Sequence, residues 1–177
     1  MKPVVSSCPK ITVYADGACE NNPGPGGWGT IVEAHEDRFC LSGGFRETTN
    51  NRMEIKAALE GLRVLGPSPR EVTIVSDSRY VVDAISKGWL PRWIRANFIK
   101  PDRTPRENAD LWREMQKLLA PHRVIATWIR GHAGHPQNVM CDRMAVAARR
   151  RPGLPPDEGY EGRSMRNRSD GQLSLGV

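Results

Sequence analysis

Apolar and polar positions alternate through residues 10–16, KITVYAD, placing Ile11, Val13 and Ala15 on one face and Thr12, Tyr14 and Asp16 on the other. That period predicts a strand. It ends on an aspartate, and the next residues, GACENNPGPGG (17–27), read as a glycine-rich turn. Residues 28–35 (WGTIVEAH) and 38–45 (RFCLSGGF) are two further β-prone segments, separated by Glu36 and Asp37 as in a short hairpin. The first three strands are therefore expected to form an antiparallel meander.

The period then changes. Ile55, Ala58, Leu59, Leu62 and Leu65 recur at helical spacing until Gly66-Pro67 stops them. Residues 71–77, EVTIVSD, make a compact β-branched strand that again ends on an aspartate, and SRYVVDAISKG reads as a helix. Strand, helix and strand in this order favour parallel pairing of 10–16 with 71–77 through a right-handed crossover. Their carboxyl ends would share the sheet edge at which open α/β sheets bind ligands. Residues 89–106 mix aromatic and basic side chains, break for prolines, and look like a protruding segment. A helix over 108–121, a strand over 123–131 and a final helix over 136–150 complete the pattern.

Composition adds limits. A chain of 177 residues suits one domain with tails, taken as 1–9, a domain over 10–150, and a polar, Gly/Pro-rich stretch over 151–177 expected to be disordered. A net charge of +6 favours a polyanionic partner without identifying it. The cysteines Cys8, Cys19, Cys40 and Cys141 form no CxxC pair, the N-terminus lacks the apolar core of a signal peptide, and no stretch reaches bilayer-spanning length. A cytoplasmic protein with reduced thiols is expected.

The candidate chemistry lies in the carboxylates. Asp16 and Asp77 at one rim would repel each other unless a cation neutralised them, and Mg²⁺ suits such oxygen ligands. The competing reading is that each merely caps the loop or helix that follows. Glu54 lies three residues after Asn51, a capping-box spacing that stabilises a helix without any chemistry. Asp142 reads equally well as a solvated helix residue near a favourable dipole. His132 and His135 flank a glycine-containing loop; zinc wants more N or S donors than the neighbouring Cys141, and a loop histidine that moves protons is the alternative.

Four ordered motifs, YADGACENNPGPGGWG, TTNNRME, VSDSRYV and RGHAGHPQNVMCD, resemble those of type 1 ribonuclease H, its bacterial ribonuclease HI form in particular, over about residues 10–150. The resemblance implies an α/β, ribonuclease H-like fold: a five-stranded mixed β-sheet flanked by helices. It implies an endonuclease that hydrolyses the RNA strand of RNA/DNA hybrids by a two-metal mechanism, leaving 5′-phosphates with little sequence specificity. The family's four carboxylates fall on Asp16, Glu54, Asp77 and Asp142, as metal ligands and catalytic residues, and its mobile histidine on His132. Two Mg²⁺ ions are implied, with Mn²⁺ able to substitute. Asn22, Thr49, Asn50, Arg79 and Trp89 match substrate-contacting positions, Trp89 as a platform for a DNA sugar. A monomer without an obligate protein partner is expected.

The chain departs from the family where Arg79 replaces the common glutamine, where Gln137 replaces a glutamate, and in the basic protrusion, thinned to WIRANF. A non-catalytic hybrid-binding module on the same fold is the alternative function. A transposase or junction resolvase would share the fold class without GHAGHPQN or the aromatic protrusion.

Overall fold

The computed structural model describes residues 10–131 and 134–162. Five strands, β1 (Lys10–Cys19), β2 (Gly24–Ala34), β3 (Asp37–Thr48), β4 (Glu71–Ser76) and β5 (Arg123–Trp128), form one sheet in the order β3-β2-β1-β4-β5. The meander β1-β2-β3 is antiparallel and β1-β4 is parallel, as the pattern predicts, and β5 adds to β4 in parallel as well. The helices are α1 (Asn50–Arg63), α2 (Arg79–Ser86), α3 (Trp89–Arg95), α4 (Ala109–Leu119) and α5 (Pro136–Arg149).

The period-two face of β1 packs as it reads. Ile11, Val13 and Ala15 join Ile55, Ala58, Leu59 and Leu62 of α1 and Val72 and Ile74 of β4 in the core. The opposite face lies under α5: Gly29, the cross-strand partner of Asp16, runs so close to α5 that a Cβ there would overlap the carbonyl of Cys141. Partners across a strand pair share a face, so Asp16 projects on the α5 side.

Three expectations are corrected. The glycine-rich stretch is mostly strand, since β1 continues to Cys19 and β2 starts at Gly24. Its glycines serve close packing: a Cβ on Gly17 would overlap the backbone of Met53 and Glu54, and one on Gly27 the backbone of Ala145. Asn51 is not the helix cap. Thr49 is, with no side-chain capping bond, and the Asn50 N–H instead donates to Asn22 Oδ1 at 2.9 Å, so the helix end is capped from another loop.

The third correction concerns residues 151–162, expected to be part of a disordered tail. Asp157 is 4 % exposed and accepts from Arg52 Nε (2.7 Å), Arg52 Nη2 (2.8 Å) and Thr48 Oγ1 (2.6 Å). Arg46 donates its N–H to the Pro155 carbonyl and pairs with Glu161 through two side-chain bonds. Low apolar content hid this docking because polar side chains make it. Residues 163–177 lie outside the described residues, as do 1–9.

The segment expected to protrude is α3 followed by a turn closed by an Ile99–Pro105 bridge. Trp112 is fully buried, donates Nε1–H to Tyr80 Oη at 3.0 Å, and meets Tyr80 and Trp93 edge-on at centroid distances of 5.5 and 5.4 Å. Trp93 and Trp112 thus form the satellite core that supports the excursion, with half-buried Trp89 at its edge, 6.1 Å from Trp93.

Candidate active site

The site forms where the sheet splits. β1 and β4 pair in parallel only as far as Tyr14 and Val75, while β1 continues along β2 through Asp16. Beyond that point the strands diverge, and the crevice at their carboxyl ends receives Asp16 from β1 and Asp77 from the residue after β4. Helix α1 adds Glu54 from its second turn, brought close because Gly17 has no side chain. One ligand oxygen from each of Asp16, Glu54 and Asp77 lies within 4.8 Å of the others.

Asp16 and Glu54 are both only 7 % exposed. Burial, followed by the charges of Asp77 and Asp142, pushes the Asp16 carboxyl up to about 8, against the single backbone bond from Gly17 that favours its charged form. Glu54 is raised well above its ordinary range, by burial first and then by Asp16 and Asp77. Its Oε1 accepts from Asn50 Nδ2 at 3.3 Å, whereas its Oε2 is buried without a hydrogen-bond partner. A buried carboxylate oxygen left unpartnered in a cluster of like charges is unfavourable unless a cation completes it, and hard divalent cations take such oxygens. The donor set therefore fits a divalent metal.

Asp142, half-buried on α5, stands outside that three-residue group but close enough for its charge to act on Asp16. Asn138, on the same face of α5 one turn earlier, was not singled out in the sequence. It is buried, reaches Asp77 Oδ2 with Nδ2 at 3.5 Å and keeps Oδ1 without a partner. The i, i+4 spacing to Asp142 was the signal that could have found it. Gly131 leaves room for the Asp77 carboxylate, since a Cβ there would overlap Oδ2. His132 lies outside the described residues.

Of the expected substrate-contacting residues, Asn22, Thr49 and Asn50 meet at the start of α1 through the Asn22–Asn50 bond. Trp89 stands apart, on the aromatic excursion. Arg79 opens α2 two residues after Asp77, and its guanidinium lies 3.7 Å from the centroid of the Trp128 ring. That excursion also carries an open cavity of about 660 Å³ walled by Trp89, Trp93 and Tyr80 with Arg92, Lys100 and Arg106.

Comparison with known proteins agrees with this geometry. The family model described as RNase H matches residues 9–150. The chain is 46 % identical over 156 residues to a ribonuclease H of Rippkaea orientalis, covering 88 % of this chain and 95 % of that protein. It is 49 % identical over 150 residues to one of Nitratidesulfovibrio vulgaris, covering 85 % and 96 %. Among solved structures, LC9-RNase H1, a type 1 RNase H with the type 2 active-site motif, superposes with a TM-score of 0.71 at 33 % identity, covering 80 % of this chain and 72 % of that one. LC11-RNase H1, solved in complex with RNA/DNA hybrid, shares the fold with a TM-score of 0.58 at 20 % identity, covering 78 % and 95 %. With the family model spanning nearly the whole domain and relatives close to half identical, the chain belongs to the RNase H family.

Proposed function

We propose that the protein is an endonuclease that hydrolyses the RNA strand of RNA/DNA hybrids, with Mg²⁺ as its ion. The observation that carries this reading is the buried trio Asp16, Glu54 and Asp77, whose mutual repulsion and unpartnered Glu54 Oε2 call for cations, in a chain of the RNase H family. Two divalent ions, when bound, supply an activated water for in-line attack and neutralise charge at the leaving 3′ oxygen, so that the product carries a 5′-phosphate.

The chain's own residues hold and orient. Asp16, whose carboxyl feels the charges of both Asp77 and Asp142, would be the ligand shared by the two ions, with Glu54 and Asp77 completing one side and Asp142 the other. Asn138 steadies the Asp77 carboxylate from α5. His132 handles protons during leaving-group or product departure. Asn22 and Thr49 bind phosphates or sugars of the DNA strand, Asn50 lies near bases in the minor groove, Trp89 stacks on a DNA sugar, and contacts to 2′-hydroxyls tell RNA from DNA. Phosphate and sugar contacts position without reading bases, so cleavage has little sequence preference. The same reading takes the protein to act as a cytoplasmic monomer.

The test is incubation of labelled RNA/DNA, RNA/RNA and DNA/DNA duplexes with and without Mg²⁺. Cleavage confined to the RNA strand of the hybrid, and abolished by chelation, is expected. Cutting that survives metal removal overturns the mechanism, and binding without any cutting reduces the protein to a hybrid-binding module.

A further inference from the structure

We propose that Trp128 and Arg79 act as one unit, in which the indole holds the Arg79 guanidinium at the rim of the carboxylate cluster as a fixed clamp for a phosphate of the RNA strand. The inference rests on the hybrid-nuclease reading above and adds a residue, Trp128, and a role for the arginine that stands in place of the family's common glutamine.

Two links fix the cation. Trp128, opposite Ser76 across the β4–β5 pair, donates Nε1–H to the Asp77 carbonyl at 2.9 Å, which pins the ring to the backbone of a site carboxylate. The Arg79 guanidinium then lies over that ring at 3.7 Å. Both side chains are solvent-exposed, Trp128 at 37 %. Stacking uses the face of the guanidinium and leaves its N–H edge open, and that edge matches phosphate oxygens in a bidentate way.

Arg79 forms no ion pair among the described residues, so no carboxylate of the protein holds its charge. A free arginine two residues from Asp77 could fold onto the carboxylates and compete with a metal for their oxygens. Held over Trp128, it leaves the cluster open to cations and points a positive charge at solvent beside it. The strand that meets Asp77 is the one that is cut, so the anion within reach is an RNA-strand phosphate. The side chain is also pre-ordered, so less freedom is lost on binding.

The experiment uses the full-length chain carrying Asp16→Asn, in EDTA so that the hybrid stays uncut, and follows binding of a fluorescent RNA/DNA hybrid by anisotropy over a series of KCl concentrations. Arg79→Gln is expected to weaken binding several-fold and to lower the slope of log Kd against log[KCl] by roughly 0.7 to 0.9, the loss of one phosphate contact. Trp128→Ala is expected to lower the slope by the same amount, and the Arg79→Gln/Trp128→Ala pair to lose no more than either alone. Trp128→Phe, which keeps a smaller aromatic face but loses the indole N–H, is expected to fall between the wild type and Trp128→Ala. This partial rescue separates positioning from simple structural support. An unchanged slope in Arg79→Gln overturns the proposal, as do additive losses in the pair. Wild-type protein that binds hybrid and does not cut it with Mg²⁺ sinks the nuclease reading alone, and the slopes still decide the clamp; failure to bind hybrid at all sinks both.

Discussion

Replacing Asp157 with alanine should destabilise the domain strongly, although sequence composition assigns that residue to a tail. Arg52 is 2 % exposed, and burial disfavours its charge; the hydrogen bonds and charges of Asp110 and Asp157 reverse that and hold its pKa above the ordinary value. Asp110 is the outer partner, 39 % exposed at its side chain, while Asp157 is the inner one at 6 %. Removing the inner partner strips Arg52 of two charged bonds and leaves the buried Thr48 hydroxyl without its acceptor. Breaking a buried pair from one side costs about 3 to 5 kcal/mol, which is a large share of the roughly 5 to 15 kcal/mol by which domains are stable. For a chain of this length it corresponds to a fall in Tm of roughly 6 to 20 °C. Urea unfolding at neutral pH measures the loss directly. Asp157→Asn, which keeps one acceptor oxygen, should lose distinctly less, and a chain ended at Gly162 should melt like the full-length protein. A loss below about 1 kcal/mol in Asp157→Ala, the range of an exposed pair, would refute the argument.

Asp16→Asn should lower Mg²⁺-dependent hybrid cleavage by orders of magnitude while hybrid binding in low salt is nearly kept; cleavage at the wild-type rate would show the site misassigned. The same variant has a pH signature without metal. Because burial, then Asp77 and Asp142, raise Asp16 from 3.8 to about 8, the folded state holds that proton more tightly than the unfolded one, and its contribution to stability is lost as pH rises across that interval. Melting in EDTA should therefore show Asp16→Asn gaining on the wild type from pH 5 to pH 8, and a gap that stays constant or narrows contradicts this. Trp89→Ala should raise KM about tenfold, from a stacking contact worth about 1 to 3 kcal/mol; steady-state kinetics with an unchanged KM would remove Trp89 from the substrate path. Gly17→Ala forces a Cβ into the backbone of Met53 and Glu54, so it should cost about 1 to 3 kcal/mol of overpacking and lower cleavage by displacing Glu54. A fully active variant of unchanged Tm would show that α1 yields there at no cost.

Elements whose identity rests on local period were legible in the sequence. The alternation in KITVYAD, the helical recurrence from Ile55 to Leu65 and the β-branched run EVTIVSD each correspond to a single element, and the parallel pairing of β1 with β4 followed from their order. What failed locally was decided from a distance. Gly24 to Gly27 look like a turn by propensity, and they are strand in a setting where Met53 of α1 presses on Gly26 and Ala145 and Arg149 of α5 press on Gly27 too closely for a Cβ. Tertiary contact overrode propensity. The capping-box reading of Asn51 and Glu54 failed for the same reason, since the helix end takes its acceptor from Asn22, 28 residues away in the chain.

The site divides along the same line. Four motifs pointed to four carboxylates, of which the structure gathers Asp16, Glu54 and Asp77, yet no spacing in the chain states that Glu54 keeps an oxygen buried and unpartnered, or that Asp16 is pushed up to about 8. Those properties arise only when β1 and β4 part after Tyr14 and Val75 and three separate elements close on the gap. Asn138, Trp128 and Asp157 have roles that local sequence does not show, because each acts on a partner more than fifty residues away: Asp77 in the first two cases, Thr48 and Arg52 in the third. Asn138 and Trp128 hold the site aspartate Asp77, while Asp157 holds the buried charge of Arg52 on the helix that carries Glu54. Hydrophobic period locates the scaffold, but long-range polar contacts of this kind fix the angle at which the scaffold presents its acids, and of the three only Asn138, four residues before Asp142, leaves a periodic mark in the chain.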